Sequence, residues 1–406
     1  MNQTTNNRLY FLDWIRIFAF CVLIFYHTGM YYVTWGWHVK SPYASDAIEP
    51  LMLLSSPWRL GLLFMISGVA TAFMLQKVRV GALLRQRSWR LLVPLVFGML
   101  AIVPPQSYFE VIEKLNYTGG YGEFMRLYIS GYHGFCKQGS CLDLPTWNHL
   151  WFVAYLWTYT MAIGALVALA GTARLRSWSE ALGRQLTGWK IIALPVLALF
   201  VARYALAEAF PETHALVNDW YNHAHYFFLF VMGVMLALQN GFWANVDKLR
   251  WTSLGLWLFS WAVVVCLYSM PEPVGDLPII AQMKPLLRMI FCLGQWAPIL
   301  AICGFGHRHL AFDSAKRRYL TEAVFPVYIL HQTLIVCMAH WLKPVKLAPG
   351  TEGAVLVVLT FAISFGVFEV VRRIAVLRPL FGLGRATSQT SAYAPQVPAA
   401  AAYPAR

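Results

Sequence analysis

RLYFLDWIRIFAFCVLIFYHTGMYY, residues 8–32, decides how the rest of the chain is read. Its length covers the hydrocarbon core of a bilayer, which takes roughly 20 residues at ~1.5 Å each. Yet Asp13, Arg16 and His27 interrupt it. Ionisable groups are costly in a membrane helix, so they face a protein interior or a wet cavity. Asp13 and Arg16 stand at i,i+3 and can neutralise each other on one face. Arg16 and His27, eleven residues apart, share that face and lie roughly 16 Å apart along the axis. The segment is too long and too charged for a removable signal peptide, and no small-residue cleavage pattern follows it. It reads as a retained spanning helix with a charge pair at one end and a titratable imidazole near the other. The competing reading of His27 is a histidine hydrogen-bonded to a neighbouring helix.

The same reading extends to all 406 residues, which are 59% hydrophobic and 12% charged. An ordinary soluble domain carries about 25% charged residues. The apolar runs are continuous, which excludes an alternating β-barrel and leaves an all-α polytopic membrane protein. The net charge of +14 needs no nucleic-acid partner, because Lys and Arg gather on the cytoplasmic loops of membrane proteins.

Hydropathy gives about ten spans, near 9–32, 51–75, 88–105, 148–170, 190–208, 223–240, 252–270, 284–304, 320–342 and 354–376. Alternate connections carry Lys77, Arg79, Arg85, Arg87 and Arg90, then Arg174, Arg176, Arg184 and Lys190, then Lys248 and Arg250, then Arg308, Lys316, Arg317 and Arg318. These predict a cytoplasmic side holding both termini. The other connections hold Asp46 and Glu49, then Glu110, Glu113, Glu123 and Asp143, then Glu208, Glu212 and Asp219. The long connection 106–147 then lies outside, with room for short surface helices. Cys136 and Cys141 sit in it and pair if it faces an oxidising compartment. The other five cysteines lie in apolar runs as small hydrophobes. Residues 1–385 form the membrane domain, and the small, polar, proline-containing stretch 386–406 reads as a disordered cytoplasmic tail.

Further candidates join the first helix. His149, between Trp147 and Trp151, is either an aromatic-belt residue or a functional one. His331, in the ninth span with Tyr328 one turn below it, is a buried intramembrane imidazole. Glu369 in the tenth span is buried and finds Arg372 at i+3 as a structural partner. The basic run around Arg85, Arg87 and Arg90 orients the chain and can also gather a phosphorylated donor. His223-x-His225 and His307-x-His309 are weak metal signals, since residues two apart on a helix point to different sides, and no metal site is expected. No HExxH, P-loop, GxGxxG or GxSxG pattern stands where its mechanism would work. A transporter of a carbohydrate or lipid-linked precursor remains the alternative to an enzyme.

RLYFLDWIR at 8–16, the Arg16-x10-His27 spacing, FMISG at 64–68, RLLVP at 90–94, NHLWF at 148–152 and VYILHQ at 327–332 together resemble the membrane acyltransferase 3 family. WHV at 37–39, FGHRHLAFDSAKRRYL at 305–320 and FEVVRRIAVLRPLF at 368–381 resemble its glucan-biosynthesis subgroup. The resemblance implies an inner-membrane acyltransferase, with acyl-CoA as co-substrate and no bound cofactor. It would move a succinyl or acetyl group to a hydroxyl of an extracytoplasmic carbohydrate. It further implies that His27 is catalytic and that Arg16 is needed with it. Asp13, His149, Tyr328, His331 and Glu369 stand as possible support. Neutral imidazole suits the chemistry, since acyl transfer to a sugar hydroxyl needs a base near pKa 7.

Overall fold

Backbone groups in lipid must find partners within their own segment, which makes helices the economical answer to long apolar runs. The computed structural model describes residues 9–137, 139–271 and 278–384, and helices dominate them. They are α1 (Tyr10–Tyr32), α2 (Glu49–Ser55), α3 (Arg59–Leu75), α4 (Val80–Phe97), α5 (Pro104–Leu115), α6 (Tyr121–Ile129), α7 (Trp151–Ala170) and α8 (Thr172–Gln185). The chain continues through α9 (Lys190–Leu206), α10 (Trp220–Leu236), α11 (Asn240–Lys248), α12 (Arg250–Tyr268), α13 (Pro278–His309), α14 (Ala315–Leu342) and α15 (Pro349–Arg373). Among the described residues, eight helical segments are long and apolar enough to cross a membrane, or ten if each of two bent pairs counts as one. The chain is therefore a multi-pass membrane protein, as its hydropathy predicts. The expected tail, 386–406, lies outside the described residues.

The differences from the expected spans have local causes. The third span begins at Val80, eight residues earlier than its apolar run, because the helix carries its basic residues into the first two turns. A π-helical segment at Gly98–Ile102 then leads into α5, which opens on Pro104 and Pro105. Pro is suited to a first helical turn, where its missing N–H costs nothing. The connection 171–189, read as a loop, holds α8, bent 112° from α9. The long connection does carry short helices, and its hairpin β1 (Cys136–Lys137) and β2 (Ser140–Cys141) is closed by a Cys136–Cys141 disulfide.

α1 packs against α13, α14 and α15, and α3 packs against α10. The α3–α10 contact rests on two glycines. A Cβ at Gly68 would meet the Phe230 carbonyl oxygen at 2.0 Å, and one at Gly233 would meet the Met65 carbonyl oxygen at 2.0 Å. Small residues let membrane helices approach closely enough for dispersion to hold them. Beside this seam Phe64 stacks on Tyr226, with ring centroids 5.0 Å apart. The seam fixes one wall of the cavity described next.

Candidate active site

A cavity of about 890 Å³ opens among α1, α3, α5, α10, α13, α14 and the turn before α7. His27 and His149 both line it. His331 stands directly behind His27, so the structure brings together three imidazoles from three distant stretches.

The hydrogen bonds decide which nitrogen of each ring is basic. His331 Nδ1 lies 2.6 Å from the Tyr328 carbonyl oxygen. A carbonyl only accepts, so Nδ1 carries the proton and Nε2 of a neutral ring accepts. His27 Nδ1 lies 2.8 Å from that Nε2 and so donates to it. The lone pair of His27 is thereby left on Nε2, which has no hydrogen-bond partner among the described residues and belongs to the cavity wall. His149 follows the same logic with the opposite result. Its Nε2–H donates to the Ile329 carbonyl (3.1 Å), and its Nδ1 accepts from Gln106 (3.3 Å). His149 is buried inside the bundle, which sets aside the aromatic-belt reading. Tyr328 donates to the His149 carbonyl at 2.5 Å, tying the two rings' backbones together.

One histidine of this network escaped sequence reasoning. His38, on the connection after α1, donates from Nδ1 to Glu110 at 2.5 Å, and its Nε2 accepts from Gln332 at 2.9 Å. Glu110 is also paired with Lys114 at 2.5 Å. Of the four imidazoles, His27 alone keeps a basic nitrogen open to the cavity. The signal available in the sequence was WHV at 37–39, which carries no chemistry by itself.

Arg59 was missed as well, although it lies inside the expected span 51–75, where an ionisable residue marks a candidate site. Its side chain is buried and lines the cavity, and its guanidinium carbon lies 3.3 Å from the Tyr26 ring centroid. Its Nε and Nη1 have no hydrogen-bond partner among the described residues. Each such buried polar atom costs about 1–3 kcal/mol.

Arg16 does not join His27, for it is absent from the cavity wall. Asp13 binds it at 3.3 Å, as the i,i+3 spacing predicts, and also binds Arg317. Arg317, counted from sequence as a cytoplasmic loop charge, is fully buried and holds Asp313 at 2.7 Å as well. The Arg317 hydrogen bond keeps the Asp313 carboxyl below its ordinary pKa. Arg87 donates to Thr71 at 3.2 Å and lies within electrostatic reach of Arg16 and Arg90. Arg90 donates to the Gly382 carbonyl at 3.3 Å, while Arg85 is exposed. Glu369 does pair with Arg372 (3.2 Å), and with Arg373 (2.9 Å), but it is one-third exposed and not buried. The buried face of α15 carries Ser364, Phe368 and Val371, and Glu369 lies to the side of it.

A polytopic helical membrane protein with an open imidazole base in a polar cavity fits an enzyme acting on a bound hydroxyl. The acyltransferase 3 family, described as an acyltransferase domain, matches residues 9–369, and the chain belongs to it. It is therefore a membrane acyltransferase. Across its length it is similar to the glucans biosynthesis protein C of Escherichia coli O1:K1, at 22% identity over 94% of this chain and 96% of the relative. The protein of the same name from Escherichia coli O139:H28 is 23% identical over 94% and 96%, and that from Escherichia coli strain K12 is 22% identical over the same shares. No solved structure matches.

Proposed function

We propose that this protein is an O-acyltransferase of the cell inner membrane that carries a succinyl or acetyl group from cytoplasmic acyl-CoA to a hydroxyl of an extracytoplasmic carbohydrate, such as a periplasmic glucan. The observation that carries the reading is the His27 imidazole, held at Nδ1 by His331 and open at Nε2 toward a cavity large enough for a sugar. In the step, Nε2 takes the proton of the acceptor hydroxyl as its oxygen attacks the thioester carbonyl carbon. The C–O bond forms, the C–S bond breaks, and the proton passes from His27 to the departing thiolate. His331 keeps the ring oriented and accepts from Nδ1–H throughout, a positioning role that suits an imidazole cycling between neutral and charged. Residues 1–385 would form the working unit, with no resident cofactor.

The donor reading rests on the opposite end of the bundle. Arg16, Arg85, Arg87 and Arg90 lie where the basic connections gather, and guanidinium groups suit the phosphates of a coenzyme. By the distribution of Lys and Arg, that end and both termini face the cytoplasm. The acceptor would then enter from the side of the acidic connections, where the disulfide lies.

The test is transfer by the purified protein in detergent. With succinyl-CoA or acetyl-CoA and a neutral glucan, mass spectrometry should show the acyl increment on the glucan, and its loss in His27→Ala. Wild-type protein that leaves the glucan unmodified with both donors overturns the proposal. For the orientation, single cysteines placed in 106–147 should react with an impermeant reagent added outside, and those in 77–90 should not.

A further inference from the structure

Arg59 is a buried charged side chain of the cavity that the chemistry above does not use. Arg59 opens α3, is nine-tenths buried, and lines the same cavity as His27. Its guanidinium carbon lies over the Tyr26 ring, 3.3 Å from the centroid, and the Tyr26 and His27 ring centroids are 5.9 Å apart. The guanidinium carbon therefore lies no farther from the imidazole centroid than those two distances combined. Among the described residues Arg59 makes no ion pair. Glu212 lies within its electrostatic reach, and that carboxylate contacts His214 at 2.6 Å. Nε and Nη1 are buried without hydrogen-bond partners. A buried arginine of this kind carries donors in a fork whose geometry matches a carboxylate or phosphate.

We propose that Arg59 is the anion subsite of the cavity, holding a carboxylate or phosphate of the bound substrate while the reacting carbonyl lies at His27. This rests on the acyltransferase reading, and it adds what that reading lacks: a group that selects among substrates. Two sources of anion fit the same chemistry. One is the free carboxylate at the far end of a dicarboxylic acyl chain, and the other is a phosphate of the donor. Tyr26 supports the fork by stacking, which orients the guanidinium without consuming any of its N–H donors.

The experiment compares full-length wild type, Arg59→Met and Arg59→Lys in detergent. It uses succinyl-CoA and butyryl-CoA, which share a four-carbon acyl chain and differ in the terminal carboxylate. If the acyl carboxylate is the anion, Arg59→Met should lower the succinyl-to-butyryl ratio of kcat/KM about tenfold or more, mainly through KM, with Arg59→Lys between. If a donor phosphate is the anion, both donors fall together, and inorganic phosphate, not succinate, should raise the melting temperature of wild type. Succinate raising it instead supports the acyl carboxylate. In both cases the rise should vanish in Arg59→Met. That thermal readout does not require turnover, so it separates failure of the subsite from failure of the transferase reading. An unchanged donor ratio, with no anion stabilising wild type more than Arg59→Met, overturns the subsite. So does an equal rise in all three proteins.

Discussion

Two regions of α1 hold ionisable groups in opposite ways. At its beginning, Asp13 is shared between Arg16 and the buried Arg317, which in turn holds Asp313. Near its end, His27 gives one nitrogen to His331 and keeps the other for the cavity. The first region closes its charges on one another and joins α1 to α14 by the Asp13–Arg317 ion pair. The second joins the same two helices by one hydrogen bond and leaves a lone pair unspent. A buried charge network is stable only when its partners are complete, whereas a general base must remain incomplete until substrate arrives. One helix thus carries both a clamp and a tool.

The sharpest way to break this contrast is at the tool. His27→Ala should lower transfer by about 10²–10⁴-fold, the usual worth of a general base, with the melting temperature little changed. Activity within a few-fold of wild type would make His27 a packing residue and give its role to another imidazole. The clamp should fail in the other currency. Asp13→Asn takes one of two carboxylates from the buried Arg317, and losing a hydrogen bond between charged groups costs about 1.5–3 kcal/mol, read as a lower melting temperature. Unaltered stability would mean that Asp313 suffices and that the clamp is not one.

Smaller effects sharpen the boundary between the two regions. If Arg16 also serves the donor, Arg16→Lys should weaken binding of a non-transferable acyl-CoA analogue by ~1.5–3 kcal/mol, through loss of the two-pronged geometry. His27→Gln should bind that analogue as wild type does. Equal affinity in Arg16→Lys would leave Arg16 wholly to the clamp. The smallest effect concerns pH. Arg317 hydrogen-bonds Asp313 and holds its carboxyl low, so that acid stabilises the fold above the ordinary carboxylate range and ceases to as pH falls through its lowered value. Melting temperatures of wild type and Asp313→Asn should therefore differ near neutral pH and converge as pH falls below the ordinary carboxylate range. A constant gap would remove Asp313 from the acid response.

Much of the helical layout was legible because long apolar runs and basic connections follow from the bilayer itself. His27 and the Asp13–Arg16 pair were legible for a related reason, as ionisable groups in an apolar run. Arg317 was not. In the sequence it sits in a basic stretch, KRRYL, indistinguishable from its exposed neighbour Arg318, and only the fold delivers Asp13 to it from 304 residues away. His38 and Glu110 were missed for the same reason: each is ordinary in its own segment, and the pair exists only after α5 and the 33–48 connection meet. The α8 helix was missed because its charged, amphipathic sequence carries no spanning signal. Tautomers lie further still from the sequence, since they depend on backbone carbonyls such as that of Tyr328.

The reciprocal glycines of the α3–α10 seam set a limit on redesign. Because each backbone rests where the other's Cβ would stand, the spacing of those two helices is as fixed as a machined tolerance. Anyone seeking a roomier chamber must carve it from side chains such as Tyr226 or from the α14 wall, because that seam has no slack to give.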